Sequence, residues 1–102
     1  MIILPDPLEF EWDRGNIDKN LKKHRITNQE AEQVFINEPK FILGDALHSK
    51  TENRYMIWGI TNKKKRLSVF FTIRKNRVRV ISARDMHRKE RRRYEKEIKA
   101  NT

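Results

Sequence analysis

The chain has 102 residues, enough for one modest core and a single domain over 1–102. It contains no cysteine, which excludes disulfides, thiolate metal sites and a cysteine nucleophile. The net charge is +10, and its distribution is uneven: fourteen Lys/Arg between Asn62 and Arg93 face only Asp85 and Glu90. All the excess lies in that one third, which points to a polyanionic partner, because neutralising phosphates releases counterions.

Residues 1–10 include Asp6 and Glu9 and show no basic segment followed by an apolar one, so no signal peptide is expected. No stretch has the length of a membrane span, and the expectation is a soluble, cytoplasmic protein with no membrane partner. Phe10-Glu11-Trp12 alternates apolar and polar and reads as a first strand. Asp13 or Asn16 can cap a helix that places Ile17, Leu21 and His24 on one face. Thr27-Asn28-Gln29-Glu30 is a capping box, Ile26 and Ala31 are placed as a hydrophobic staple, and Ala31, Val34 and Phe35 form a stripe that Pro39 ends.

Beyond Pro39 the period becomes two. Phe41-Ile42-Leu43 predicts a short strand ending at Gly44-Asp45, and residues 54–61, 66–74 and 78–83 predict three more. The links 62–65 and Lys75-Asn76 suit hairpins, with Asn76 the residue that must accept a positive φ. Asp85 is the expected cap of a helix over 86–99 with a thin stripe of Met86, Tyr94 and Ile98. The fold class is therefore α+β: two N-terminal helices on one face of an antiparallel sheet of about four strands, then a C-terminal helix. The second face is expected to stay partly open beside that basic helix, forming a cleft.

Several groups of residues carry a resemblance to a known family. Phe10-Glu11-Trp12-Asp13, Asn20, Lys23-His24 and the capped helix with Ala31 and Phe35 come first. His48-Ser49-x-x-Glu52-x-Arg54-Tyr55 follows, with Gly59 after it. The third group is Phe71-Thr72-x-Arg74-x-Asn76-x-Val78-Arg79-Val80-Ile81-Ser82-Ala83-Arg84, and the last is Arg88-x-Glu90-Arg91-x-x-Tyr94-Glu95. Together they resemble the BrnT toxin family from about Phe10 to Glu95. The resemblance implies a RelE-like microbial ribonuclease fold, RNA cleavage that arrests translation, and neutralisation by a cognate BrnA-like ribbon-helix-helix antitoxin. It also implies a 2:2 toxin–antitoxin assembly that reaches operator DNA through the antitoxin and represses its own operon. The chain departs from the family at the Lys75-Asn76 turn, where many members carry glycine, and at Ile73 and Arg74, where some carry acidic residues.

Metal-free RNA cleavage needs a base for the ribose 2′-hydroxyl, an acid for the leaving 5′-oxygen, stabilisation of phosphorane charge, and in-line alignment. Arginine suits the charge stabilisation, because its planar fork binds phosphate bidentately. Arg54, Arg79 and Arg84 lie on or just after neighbouring strands and are the catalytic candidates for it. Arg79 and Arg84 differ by five, so a straight strand points them to opposite faces. Convergence requires Arg84 to lie past the strand end, or a bulge, and the expected helix cap at Asp85 favours the former.

His48 and Glu52 are the acid–base candidates, with an unremarkable loop histidine and a Glu52–Arg54 ion pair as the competing readings. Tyr94 can stack on a base or donate its hydroxyl, and equally reads as core. Glu90 is read as fixing an arginine, His24 as touching the sheet, and Trp12 and Trp58 as core. Lys63, Lys64, Lys65, Arg66, Arg74, Arg77, Arg88, Arg91 and Arg92 are expected to gather RNA. The histidines at 24, 48 and 87 lack zinc spacing, no carboxylate cluster suggests magnesium, and Gly15, Gly44 and Gly59 make no phosphate loop. No metal and no cofactor is expected. The competing function classes are a non-catalytic nucleic-acid-binding regulator using the basic C-terminal helix, and an interaction module for an acidic partner.

Overall fold

The computed structural model describes residues 4–44 and 52–101. The elements in order are α1 (Lys19–His24), α2 (Asn28–Ile36), β1 (Phe41–Gly44), β2 (Tyr55–Ile60), β3 (Arg66–Arg74), β4 (Arg77–Asp85) and α3 (Arg88–Ala100). The strands form one sheet in the order β1-β2-β3-β4, with every neighbouring pair antiparallel. This is the expected α+β meander.

The α2 helix starts where the capping box places it. Thr27 Oγ1 accepts from Glu30 N–H at 3.0 Å, and Glu30 Oε1 accepts from Thr27 N–H at 2.9 Å. Ala31, Val34 and Phe35 then turn inward with Ile26 onto Ile57, Leu67, Val69, Phe71, Val78, Val80 and Ala83. Phe35 meets Phe10 and Phe71 edge-on, at 5.4 and 4.9 Å between centroids. Gly59 permits this approach, since a Cβ there would lie 2.7 Å from Val34 Cγ1 and 3.1 Å from Val34 O.

Four expectations are corrected. First, Phe10-Glu11-Trp12 does not form a strand: Phe10 makes a single parallel bridge with Val78. The chain then turns at Asp13, whose carbonyl accepts from Asn16 and Ile17 N–H, and leaves the sheet edge.

Second, α1 buries no apolar stripe. Ile17 and Leu21 are 45% and 46% exposed, whereas Asn16 and Asn20 are buried. The polar residues face inward because β4 is an edge strand with backbone groups left to satisfy. Asn16 Nδ2 donates to Val80 O, Lys19 Nζ donates to Ile81 O, and Asn20 Oδ1 accepts from Ala83 N–H.

Third, β4 runs to Asp85 and α3 is capped by His87, not Asp85. Met86 N–H still donates to Arg66 O in the manner of the ladder, and Glu90 Oε1 accepts from His87 N–H at 2.8 Å. Fourth, the second sheet face is covered more fully than expected. Trp58, Met86 and Tyr94 form a second buried cluster there with Phe41, Leu43, Met56 and Ile98, so α3 lies on the β1–β2 side of that face.

Lys75 shares with Asn76 the left-handed backbone of the β3–β4 turn, at φ 49° and 62°. Two successive positive φ values match the strand twist, at a cost of about 1 kcal/mol for a lysine in that region.

Candidate active site

The part of the second face that α3 leaves open is a polar cleft of about 310 Å³. Arg54, Arg74, Arg79 and Glu52 line it, together with Lys19, Gly15 and Asn16 and the β4 backbone at Val80–Ile81. Arg79 is largely enclosed there, with a side chain 14% exposed. It stands opposite Thr72 on β3. Its Nη1 donates to Glu11 Oε1 at 2.7 Å and Asp13 Oδ2 at 2.8 Å, and Nη2 donates to Asp13 Oδ1 at 2.9 Å.

These bonds occupy three of the five guanidinium donors and fix its plane. Asp13 is itself held by Gly15 N–H at 2.8 Å, and its backbone N–H donates to Asn16 Oδ1. A Cβ on Gly15 would come within 2.8 Å of Arg79 Nη2, so only glycine leaves the guanidinium its place. The Arg79 hydrogen bond, with that from Gly15, holds the Asp13 carboxyl below its ordinary 3.8. The same contact pushes the Arg79 pKa further up.

Glu52 grips Arg74 through two bonds, Nε to Oε2 at 3.0 Å and Nη2 to Oε1 at 2.7 Å, so Arg74 and not Arg54 is its partner. Arg74 lowers the Glu52 pKa, with a smaller electrostatic contribution from Arg79 and Arg54. Glu52 is thus ionised and shaped as an anchor for Arg74, which makes it a weak proton acceptor near neutrality.

A β-bulge decides where Arg84 goes. Phe71 pairs with Val80 but Phe70 pairs with Ser82, leaving Ile81 as the extra residue. Arg84 therefore lies within β4, opposite Ser68, on the same face as Arg79; it is not past the strand end as expected. The two arginines share a face without sharing a partner. Arg84 grips Glu90 at 2.7 and 3.1 Å and lies over the Phe70 ring at 5.5 Å, outside the cleft lining. Burial of the Glu90 carboxyl opposes ionisation, and the bonds from Arg84 and His87 N–H overcome it, leaving the pKa below 4.5. Glu90 fixes an arginine, as its sequence position suggested.

The other candidates scatter. Tyr94 is 1% exposed, stacks edge-on against Phe41 and donates its hydroxyl to Pro39 O at 2.7 Å, away from the cleft. His48 lies outside the described residues. Among the expected RNA-gathering cations, Arg74 is in the cleft and Arg77 pairs loosely with Glu9 near it. Lys63, Lys64, Lys65 and Arg66 sit at the other end of β3, about 27 Å from Arg74 at 3.4 Å per residue. Lys65 is paired there with Glu30, and Arg66 with Glu95. Arg88, Arg91 and Arg92 line a separate groove along α3. Trp12 donates to Glu32, and Trp58 is buried, so both belong to the packing.

Glu11, Asp13, Gly15, Asn16 and Lys19 are site residues that sequence reasoning did not assign. The only local signal was the Phe10-Glu11-Trp12-Asp13 group, whose carboxylates find their cation more than sixty residues away. Among the described residues, no group of three or more His, Cys, Asp or Glu side chains is gathered as metal ligands would be.

The sequence model of a family described as "Ribonuclease toxin, BrnT, of type II toxin-antitoxin system" matches residues 12–90. The chain belongs to the BrnT family. No curated protein matches it. The matched span holds both Arg79 and its Asp13 anchor, and it stops before the arginine run of α3. BrnT membership makes this a ribonuclease toxin of a toxin–antitoxin system, and it implies a cognate antitoxin as partner. Among the described residues, no helix is long and apolar enough to cross a membrane.

Proposed function

We propose that this BrnT-family chain is a metal-independent endoribonuclease of RelE-like fold, one domain over 1–102, acting in the cytoplasm. The observation that carries the reading is the cleft that gathers Arg54, Arg74 and Arg79 on one sheet face, with Arg79 fixed in orientation by two carboxylates. In the reaction, the ribose 2′-oxygen attacks the adjacent phosphorus, the P–O5′ bond breaks, and a 2′,3′-cyclic phosphate and a 5′-hydroxyl are left. The 2′-hydroxyl proton goes to a base, and the 5′-oxygen receives one from an acid.

Arg54 and Arg79 supply fixed positive charge to the phosphorane oxygens, while Glu52 orients Arg74 beside them. His48 remains the proton-transfer candidate on its intrinsic pKa. Arg84 acts by holding Glu90 and the start of α3, and Tyr94 by holding α3 to β1. A BrnA-like ribbon-helix-helix antitoxin neutralises the toxin in a 2:2 complex that binds operator DNA and represses the operon.

The test is incubation of purified protein with a defined RNA in EDTA. Wild type is expected to cleave, and Arg79→Ala and Arg54→Ala to lose roughly a hundredfold or more in rate, as for loss of one oxyanion donor. Cleavage that EDTA abolishes removes the metal-independent mechanism. Tight retention of RNA or DNA without cleavage replaces the enzyme by a nucleic-acid-binding regulator. That second reading draws on Arg74 and Arg79 already being ion-paired in the cleft.

A further inference from the structure

The cleft is rich in cations but poor in free charge. Arg74 is matched by Glu52, and Arg79 by Glu11 and Asp13. Such a site can orient a phosphate, but it offers few counterions to release and supplies little of the affinity for a polyanion. A denser set of cations lies elsewhere. Along one flank of α3, Arg88, Arg92, Lys96 and Lys99 recur at helical spacings of four, four and three, and with Arg91 they line a groove completed by Arg66. Glu95 is the one carboxylate in that lining, and it pairs with Arg66 at 2.8 Å. None of these residues lines the cleft.

We propose that this groove is a second RNA-binding surface, separate from the cleft, that grips the phosphodiester backbone and supplies most of the salt-dependent affinity. The proposal rests on the ribonuclease reading and adds a division of labour to it. From Arg88 to Lys99 the helix rises about 16 Å, enough to follow several successive phosphates.

Among the described residues, the lining contains no apolar or aromatic residue and its carbon surface is the stems of arginine and lysine, whereas a protein dock needs an apolar or aromatic centre and is depleted in lysine. That favours a nucleic-acid backbone over the antitoxin as occupant. Four of the six cations, Arg91, Arg92, Lys96 and Lys99, lie past the span matched by the family. Arg66 and Arg74 stand at opposite ends of β3, about 27 Å apart. At 3.4 Å per stacked nucleotide, a strand reaching from groove to cleft covers about eight nucleotides.

The test compares wild type with Arg91→Gln/Arg92→Gln/Lys96→Gln, which leaves the buried Tyr94 and the inward Ile98 in place. Binding of a 16-nucleotide single-stranded RNA is measured against salt concentration, with Arg79→Ala as the cleft control. Three lost phosphate contacts are expected to reduce the slope of log K against log salt by about 2, and Arg79→Ala by at most about 0.7. Cleavage of a tetranucleotide, too short to span both surfaces, is expected to be equal in wild type and the triple variant, which a folding defect would not allow.

An unchanged slope in the triple variant, with RNA still cleaved by wild type, overturns the groove and leaves the ribonuclease reading standing. RNA bound with the expected slopes but never cleaved overturns the ribonuclease reading and leaves the groove standing. A triple variant that escapes antitoxin neutralisation while keeping its RNA slope makes the groove a protein dock and overturns the proposal.

Discussion

Arg79 and Arg84 point to the same face of β4 although five residues separate them, because Ile81 is inserted opposite the Phe70–Phe71 step. The bulge changes parity once, and the two side chains diverge only in their partners: Arg79 to Glu11 and Asp13, Arg84 to Glu90. One arginine orients within the cleft and the other ties α3 to the sheet. They should respond to mutation in different currencies.

Arg84→Ala is expected to act mainly on stability. It leaves Glu90, whose side chain is 16% exposed, without its bidentate partner, at a cost of about 2 kcal/mol. Urea unfolding followed by tryptophan fluorescence measures this. Glu90→Gln should remove part of the cost of Arg84→Ala when the two are combined, since the unpaired charge is then absent.

Gly15→Ala should do the reverse. The new methyl must displace Arg79 Nη2, which would sit 2.8 Å away, while Gly15 itself lies in an exposed turn. Cleavage is expected to fall at least tenfold with a stability change below about 1 kcal/mol. A Gly15→Ala protein that cleaves like wild type would show that the orientation of Arg79 is immaterial.

Acid should unfold the protein through its anchoring carboxylates. Glu30 and Glu90 have folded pKa values below the ordinary 4.5, each because hydrogen bonds outweigh the opposing effect of burial. A depressed carboxylate contributes stability that is fully present above its unfolded pKa and is lost as pH falls through the folded one. The urea midpoint should therefore hold level from neutrality to about pH 5 and decline below 4.5. Asp13 and Glu52 shift the same way but are well exposed and screened, so they add little. Glu90→Gln should flatten the decline.

Tyr94→Phe tests whether this tyrosine is a packing residue. Loss of the bond to Pro39 O, with the ring kept against Phe41, should cost about 1 kcal/mol in unfolding. A drop in cleavage rate without that cost would instead place the hydroxyl in the chemistry.

Sequence reasoning recovered what is local. The Thr27–Glu30 box, the stripe of α2 and the alternation of Leu67, Val69, Phe71 and Ile73 are each written within one element, and each appears in the fold. The bulge at Ile81 is one of two ways for Arg79 and Arg84 to converge, and the sequence favours the other, because residues 78–83 hold no glycine or proline to mark a bulge. The inward roles of Asn16, which reads as a possible helix cap, and of Asn20 are not legible, because their partners are backbone groups some sixty residues away. Arg79 was found from its residue type and strand position. Its anchors were missed for the same reason as the asparagines: pairing across sixty-six residues leaves no periodic trace.

The edge of β4 is closed by the Phe10 bridge, two asparagine side chains and a lysine, none of which adds a further strand. Among the described residues, the four-residue β1 is the other edge strand of the sheet. Strand-to-strand polymerisation needs two complementary edges on every copy, and with one of them sealed each copy can accept a neighbour but cannot pass the template on. Growth by sheet extension therefore ends at a pair.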